Sequence, residues 1–224
     1  QIVQELVENG RKVGEVKMDA KVIRYSDSED GEDLALLMVR KRNFVTASAE
    51  FYLNGDQIVP IGTELFHVGS LLGQVGSNSM TRGIMSKVGR VLDLGSSGGV
   101  VFDQTTVTAF PGSSGGGVYL SDRNGDNAGQ YVGMLVRGAG EGFNFIVPVR
   151  RMANWSETVE AQWALDGSVA APSIEELLEQ PIEDASFTPK EEKEESNKSL
   201  GIKFMIVERI YKQYQDQKIV PYQD

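Results

Sequence analysis

The stretch TAFPGSSGGGVYL (108–120) holds the residues most able to do chemistry. Pro111 to Gly117 reads as a tight turn between two strand-like segments, with small hydroxyls among residues that have almost no side-chain bulk. Such a turn can present a serine oxygen to solvent. It can also aim successive backbone N–H groups at one point, which is what stabilising an oxyanion requires. An ordinary glycine-rich loop accounts for the same residues equally well. A serine nucleophile also needs a base and a group to orient that base. Histidine occurs once in the 224 residues, at His67.

Composition narrows the alternatives. Cysteine is absent, which excludes zinc-thiolate sites, disulfides, cysteine-ligated clusters and thiol nucleophiles. A single histidine excludes a multi-histidine metal site within the chain, and no metal or cofactor is expected. P-loop, GxGxxG and HExxH patterns are missing. The net charge of −10 repels phosphate, so nucleic acid is not an expected partner. No apolar run approaches the roughly 18 residues of a membrane span. The segment SDRNGDNAGQ (121–130) opens like a calcium loop. It carries Asn127 and Gly133 where that loop needs glycine and glutamate, and it reads as a hairpin loop. The first residue is Gln1, so the chain is expected to be processed or incomplete at its start, and its compartment is left open.

The elements that must hold the turn are short strands. Glycine makes up 25 residues and proline 7, a balance that favours strands with tight turns. Strand signals fall at 15–25, 34–39, 44–53, 64–72, 86–94, 99–110, 116–120, 130–136 and 143–149. LALLMV (34–39) has no polar face and reads as a central strand buried on both sides. The expected fold class is all-β, a sandwich or barrel. Residues 150–167 space Met152, Trp155, Val159 and Trp163 as an amphipathic helix ended by Gly167, with both tryptophans packed in a core. An acidic linker is expected over 168–198. The tail 199–224 spaces Ile202, Ile206, Ile210 and Tyr214 as a short helix, either bound to a partner or packed on its own domain.

Four segments together resemble the chymotrypsin-like (trypsin-like) serine proteases, most closely the Deg/HtrA-like branch. GSSGG (112–116) resembles the G-x-S-G-G nucleophile motif, and EDLALLMV (32–39) the strand that presents the triad aspartate. HVGSLLGQ…TRGIMSKVGR (67–90) is similar to the crossing between two barrels. QYVGMLVRGAGEGFNFIVPV (130–149) is similar to the strands that border the specificity pocket. The resemblance implies a double antiparallel β-barrel. Its first barrel (1–80) would be incomplete at the N-terminus, the second would span 81–149, and a C-terminal helix would follow over 150–167. It implies Ser114 as nucleophile, Asp33 as the orienting carboxylate, and the Gly112 and Ser114 amides as the oxyanion hole. Val136, Arg137 and Gly138 would pair with a substrate backbone, and neutral Thr108 would lie at the base of the pocket for the residue before the scissile bond. Arg137 is a candidate to alter that preference.

The resemblance also implies a triad histidine roughly 30–45 residues before Asp33. Residues 1–32 contain none. His67 falls between the barrels and reads as a strand or turn histidine with a satisfied ring. Two functional expectations follow. One is a serine endopeptidase acting on peptide or protein substrates, with its histidine upstream of Gln1. The other is a catalytically inactive protease-fold module that binds peptides or serves as a scaffold.

Overall fold

Alternating apolar residues and left-handed turn residues build the first strands. The computed structural model describes residues 1–27, 32–39, 47–53, 58–92, 99–138 and 142–180. β1 (Ile2–Glu8) and β2 (Arg11–Met18) pair antiparallel through the two-residue turn Asn9-Gly10. Both turn residues have positive φ, 51° and 74°, as a tight hairpin of that length needs. β3 (Ala20–Ser26) pairs with β4 (Leu34–Val39) in a second two-stranded sheet. Asp19 divides the single strand expected over 15–25 into β2 and β3.

The rest of the chain forms six strands: β5 (Glu64–Leu71), β6 (Gly76–Leu92), β7 (Val100–Thr105), β8 (Gly117–Leu120), β9 (Tyr131–Gly138) and β10 (Asn144–Pro148). Their pairings run β10-β7-β6-β5-β8-β9, and β9 returns to β10, which closes the ring. Leu65, Met85, Val107, Val118, Leu120, Val132, Leu135 and Ile146 fill its interior. Each such side chain contributes about 1.5–3 kcal/mol of apolar burial.

Several expectations change at this level. The molecule is mostly β, with few helices. Its first half gives two two-stranded sheets among the described residues, where a partial barrel was expected. β5 and the start of β6 precede the expected division at residue 80 and belong to the ring. β4 pairs only with β3 and leaves Ala35 and Leu37 exposed, so among the described residues it is not a strand buried on both sides. Residues 47–53 contribute one bridge, Phe51 to Tyr131, rather than a strand. The 121–130 segment is a loop between the paired strands β8 and β9.

The helix α1 (Val149–Thr158) is shorter than expected. It ends at Glu160, whose φ is 54°. The Ala161 amide donates to the Ser156 carbonyl at 2.7 Å and the Glu160 amide to the Glu157 carbonyl at 3.3 Å. That is a Schellman ending made without glycine, and Gly167 lies beyond it. Trp155 packs with Leu34, Phe102, Phe145, Val147 and Met152, and Trp163 flanks the same cluster. Within the expected linker, α2 (Ile174–Glu179) starts at Ser173 with a full capping box. Lys21 Nζ donates to the carbonyls of Leu177, Leu178 and Gln180 and holds the end of α2 against β3. The remainder of the linker from 181 and the tail 199–224 lie outside the described residues.

Arg150 and Asp103 lock α1 to β7 through two bonds of 2.7 and 2.6 Å, and Asp103 also accepts from the Gly89 amide. The Asp103 side chain is 2% exposed and that of Arg150 20%. Removing one member of such a pair leaves a charge without its partner. Asp103→Ala is expected to cost about 3–5 kcal/mol in urea unfolding; a loss below about 1 kcal/mol would contradict this account of the pair.

Candidate active site

The 111–117 turn is fixed from several sides. The Ser113 amide donates to the Phe110 carbonyl, and Ser113 Oγ accepts from the Phe110 amide at 3.1 Å. The Gly116 amide donates to the Ser113 carbonyl at 3.0 Å. Two more bonds stitch the turn to β9: the Gly115 amide to the Leu135 carbonyl at 2.7 Å, and the Leu135 amide to the Gly116 carbonyl at 2.9 Å. Ser113 is buried at 1% exposure, whereas Ser114 is exposed. Of the two adjacent serines, only Ser114 presents its hydroxyl to solvent.

Gly112 has φ +94°, and a Cβ there would lie 2.6 Å from the Gly73 amide nitrogen and 2.9 Å from the Ser70 carbonyl oxygen. Both its backbone conformation and its surroundings therefore demand glycine. Among the described residues, the amides of Gly112 and Ser114 meet no acceptor. Two donors within one turn are thus left beside an exposed hydroxyl.

Ser114 Oγ donates to the Val136 carbonyl at 3.3 Å. Beyond Met134, β9 has no paired residue on β8. Val136, Arg137 and Gly138 thus form an edge beside the turn, while Arg137 and Gly138 pair with β10 on the other side. Thr108 is exposed, and its carbonyl accepts from Thr81 Oγ1 at 2.9 Å. Ser114, Gly112 and Val136 are therefore brought together, with Thr108 on the segment leading into the turn.

Asp33 makes no side-chain hydrogen bond to any of them among the described residues. Its φ is 57°, and its amide donates to the Asp27 carbonyl at 3.2 Å, closing the turn before β4. The residue that ties this turn to the ring is Arg151, which sequence reasoning did not single out. Its guanidinium donates to the Glu32 carboxylate at 2.6 and 2.8 Å, to the Glu32 carbonyl at 2.9 Å and to the Val101 carbonyl at 3.0 Å. It also lies 4.8 Å from the centre of the Phe102 ring. Burial pulls the Arg151 pKa down, while the charges of Glu32 and Asp33 raise it and that of Arg137 lowers it. Arg151 therefore lies within electrostatic reach of both Asp33 and Arg137. Two adjacent arginines at a helix start were the available signal, but nothing local marks which one turns inward.

His67 sits on β5, opposite Thr81 and Val118, and is fully buried. Its ring is not satisfied as expected, because Nε2 has no hydrogen-bond partner. It cannot serve Ser114 as a base from there, being enclosed on the inner side of the turn. Among the described residues no group of three His, Cys, Asp or Glu converges as a metal site.

Burial pushes the His67 pKa below the usual imidazole value, with the Ser113 carbonyl opposing. The folded state then binds fewer protons than the unfolded state. Stability from the neutral ring is present above about pH 6.5 and is lost as pH falls towards the lower folded value. Urea unfolding at pH 7.5 and 5.5 is expected to show a larger loss for the native protein than for His67→Gln. Equal losses would contradict the assignment of a depressed pKa.

Comparison with known proteins gives concordant matches. Residues 3–134 match the family described as the trypsin-like peptidase domain. The "Serine protease Do-like HtrA" of Lactobacillus helveticus is 29% identical over 181 residues, covering 77% of this chain and 38% of that protein. A solved HtrA-type protease, in a structure with a decapeptide, is 24% identical with a TM-score of 0.49, covering 63% of this chain and 40% of its own. The chain thus spans about two fifths of the length of each relative. With more than half of its residues inside the family match, the chain belongs to the trypsin-like peptidase domain family and has HtrA/Deg-like serine proteases as relatives.

Proposed function

We propose that this chain carries the nucleophile and substrate cleft of a serine endopeptidase. The observation that carries the reading is the exposed Ser114 hydroxyl beside two amides without acceptors. A scissile carbonyl placed over the turn meets Ser114 Oγ on one side and the Gly112 and Ser114 N–H groups on the other. Those donors point to where negative charge develops in the transition state. The substrate chain adds as a short strand along Val136–Gly138, beyond the last β8 partner of β9 at Met134. Thr108 lines the pocket for the residue before the scissile bond, and Arg137 biases that choice.

The reaction needs an imidazole oriented by Asp33. It takes the Ser114 Oγ proton as the oxygen bonds to the carbonyl carbon. It returns that proton to the amine as the C–N bond breaks, and water then hydrolyses the acyl ester. His67 does not fill this role, so the base comes from outside the described residues. Arg151 keeps the Asp33 turn against the ring during these steps.

A second reading has its own observation. Ser114 Oγ is bonded to the Val136 carbonyl and has no base beside it among the described residues. A peptide could occupy the β9 edge without being cleaved.

The product of the complete gene separates the two. A fluorophosphonate probe is expected to label the native protein and not Ser114→Ala, and that substitution should lower kcat by about a million-fold. Peptide binding without Ser114-dependent labelling would favour the non-catalytic module. Arg151→Ala should slow labelling as the Asp33 turn loses its anchor. Unchanged labelling in that variant would remove Arg151 from the account.

A further inference from the structure

His67 Nε2 lies beneath the nucleophile turn. A Cβ on Gly69 would come within 2.6 Å of it, and one on Gly116 would collide with it outright. The same Cβ on Gly116 would lie 2.9 Å from the Ser113 carbonyl oxygen. The ring nitrogen, the Ser113 carbonyl and the Val68 carbonyl, 2.8 Å from the same point, therefore crowd the place where a Gly116 side chain would begin. On the other edge of the ring, Nδ1 is 3.4 Å from Thr81 Oγ1, and the Thr81 proton is already donated to the Thr108 carbonyl. The Nδ1 contact is weak, and Nε2, which makes no hydrogen bond in the structure, has the Val68 and Ser113 carbonyls near it; of these, the Ser113 carbonyl opposes burial in setting the ring's pKa.

The Ser113 carbonyl belongs to the same peptide unit as the Ser114 amide. In a trans peptide the C=O and N–H point in opposite directions, and the chain has no cis peptide among the described residues. Whatever holds the carbonyl inward aims the amide outward, where an oxyanion would be received.

We propose that His67 is a positioning residue: its neutral ring carries its proton on Nε2 and donates to the Ser113 carbonyl, which keeps the Ser114 N–H turned outward as an oxyanion donor. The role rests on the endopeptidase reading of Ser114. The groups packed on the ring are uncharged: Thr81 from β6, Val118 from β8, Gly69 from β5 itself, and Ser113 and Gly116 from the turn. Among the described residues no charged side chain contributes to its titration, and burial keeps the ring neutral at pH 7. The Gly116 amide bonds the same carbonyl but comes from within the turn and moves with it. His67 supplies a bond from a strand of the ring.

His67 is the only histidine of these 224 residues, and in the full gene product its ring resonances are the ones missing from the spectrum of His67→Gln. Imidazole ¹⁵N spectra of the full gene product at pH 7.5 should show the proton on Nε2. A proton on Nδ1 with a bare Nε2 would overturn the proposal, and this readout needs no catalytic activity. His67→Gln keeps a donor N–H near the Nε2 position, and His67→Leu removes it. The Leu variant should shift the Ser114 amide resonance and slow fluorophosphonate labelling on the order of ten- to a hundred-fold, at or below the roughly hundred- to thousand-fold cost of losing an oxyanion donor outright. In peptide hydrolysis the loss should fall on kcat rather than KM. The Gln variant should recover most of the rate. Equal rates in all three proteins, or a Gln variant as slow as Leu, would overturn the proposal. If the native protein shows no Ser114-dependent labelling, the endopeptidase reading fails, while the tautomer and the Ser114 amide shift still decide what His67 does to the turn.

Discussion

The guanidinium of Arg151 makes the most heavily hydrogen-bonded of the contacts that join the start of β4 to the ring. It is 8% exposed, its five-donor fork reaches a carboxylate and two carbonyls, and its central carbon lies over the Phe102 ring. Glu32 belongs to the turn that opens β4, and Val101 and Phe102 belong to β7 of the ring. Arginine is suited to this place because its charge survives desolvation and its geometry is fixed. Lysine would offer a single point charge and leave one of these partners unmet. Leu34, immediately after Asp33, buries itself in the same cluster as Phe102 and Trp155. Apolar packing supplies the contact area there, and the guanidinium sets the register.

The nucleophile turn obeys a different constraint. Its residues have little side chain with which to pack, so backbone bonds must fix it. Ser113 closes the turn internally, Gly115 and Gly116 tie it to β9, and the Leu72 amide reaches the Pro111 carbonyl at 2.9 Å. The outcome is a rigid segment with one exposed hydroxyl and two amides left over. Such preorganisation gives an electrostatic site its effect, because donors already in place need not reorient as charge develops.

The expectations that held and those that changed differ in range. β5, β7, β8, β9 and β10 fall where short apolar runs and turn residues placed them, because those signals are local. LALLMV misled because a run of apolar residues says that a strand seeks burial, not how many neighbours it finds. The end of α1 misled for a related reason. Glu160 takes the left-handed conformation usually left to glycine, sustained by the Ser156 and Glu157 carbonyls and by the buried Val159 and Ala161 beside it. Likewise, no local pattern marks Arg151 over its neighbour Arg150: both meet β7, and the difference is which one also reaches Glu32.

By itself the amino-acid order determined the glycine-rich turn, the mostly-β character and the family, since each rests on residue types within a few positions or on motifs in a fixed sequence. Tertiary structure alone decided that Ser113 faces inward and Ser114 outward, and that a histidine 47 positions earlier lies beneath them. The physical reason is strand pairing. β5 joins β8 with His67 opposite Val118. That register is chosen by the closure of the whole ring, and no stretch of sequence near either residue encodes it.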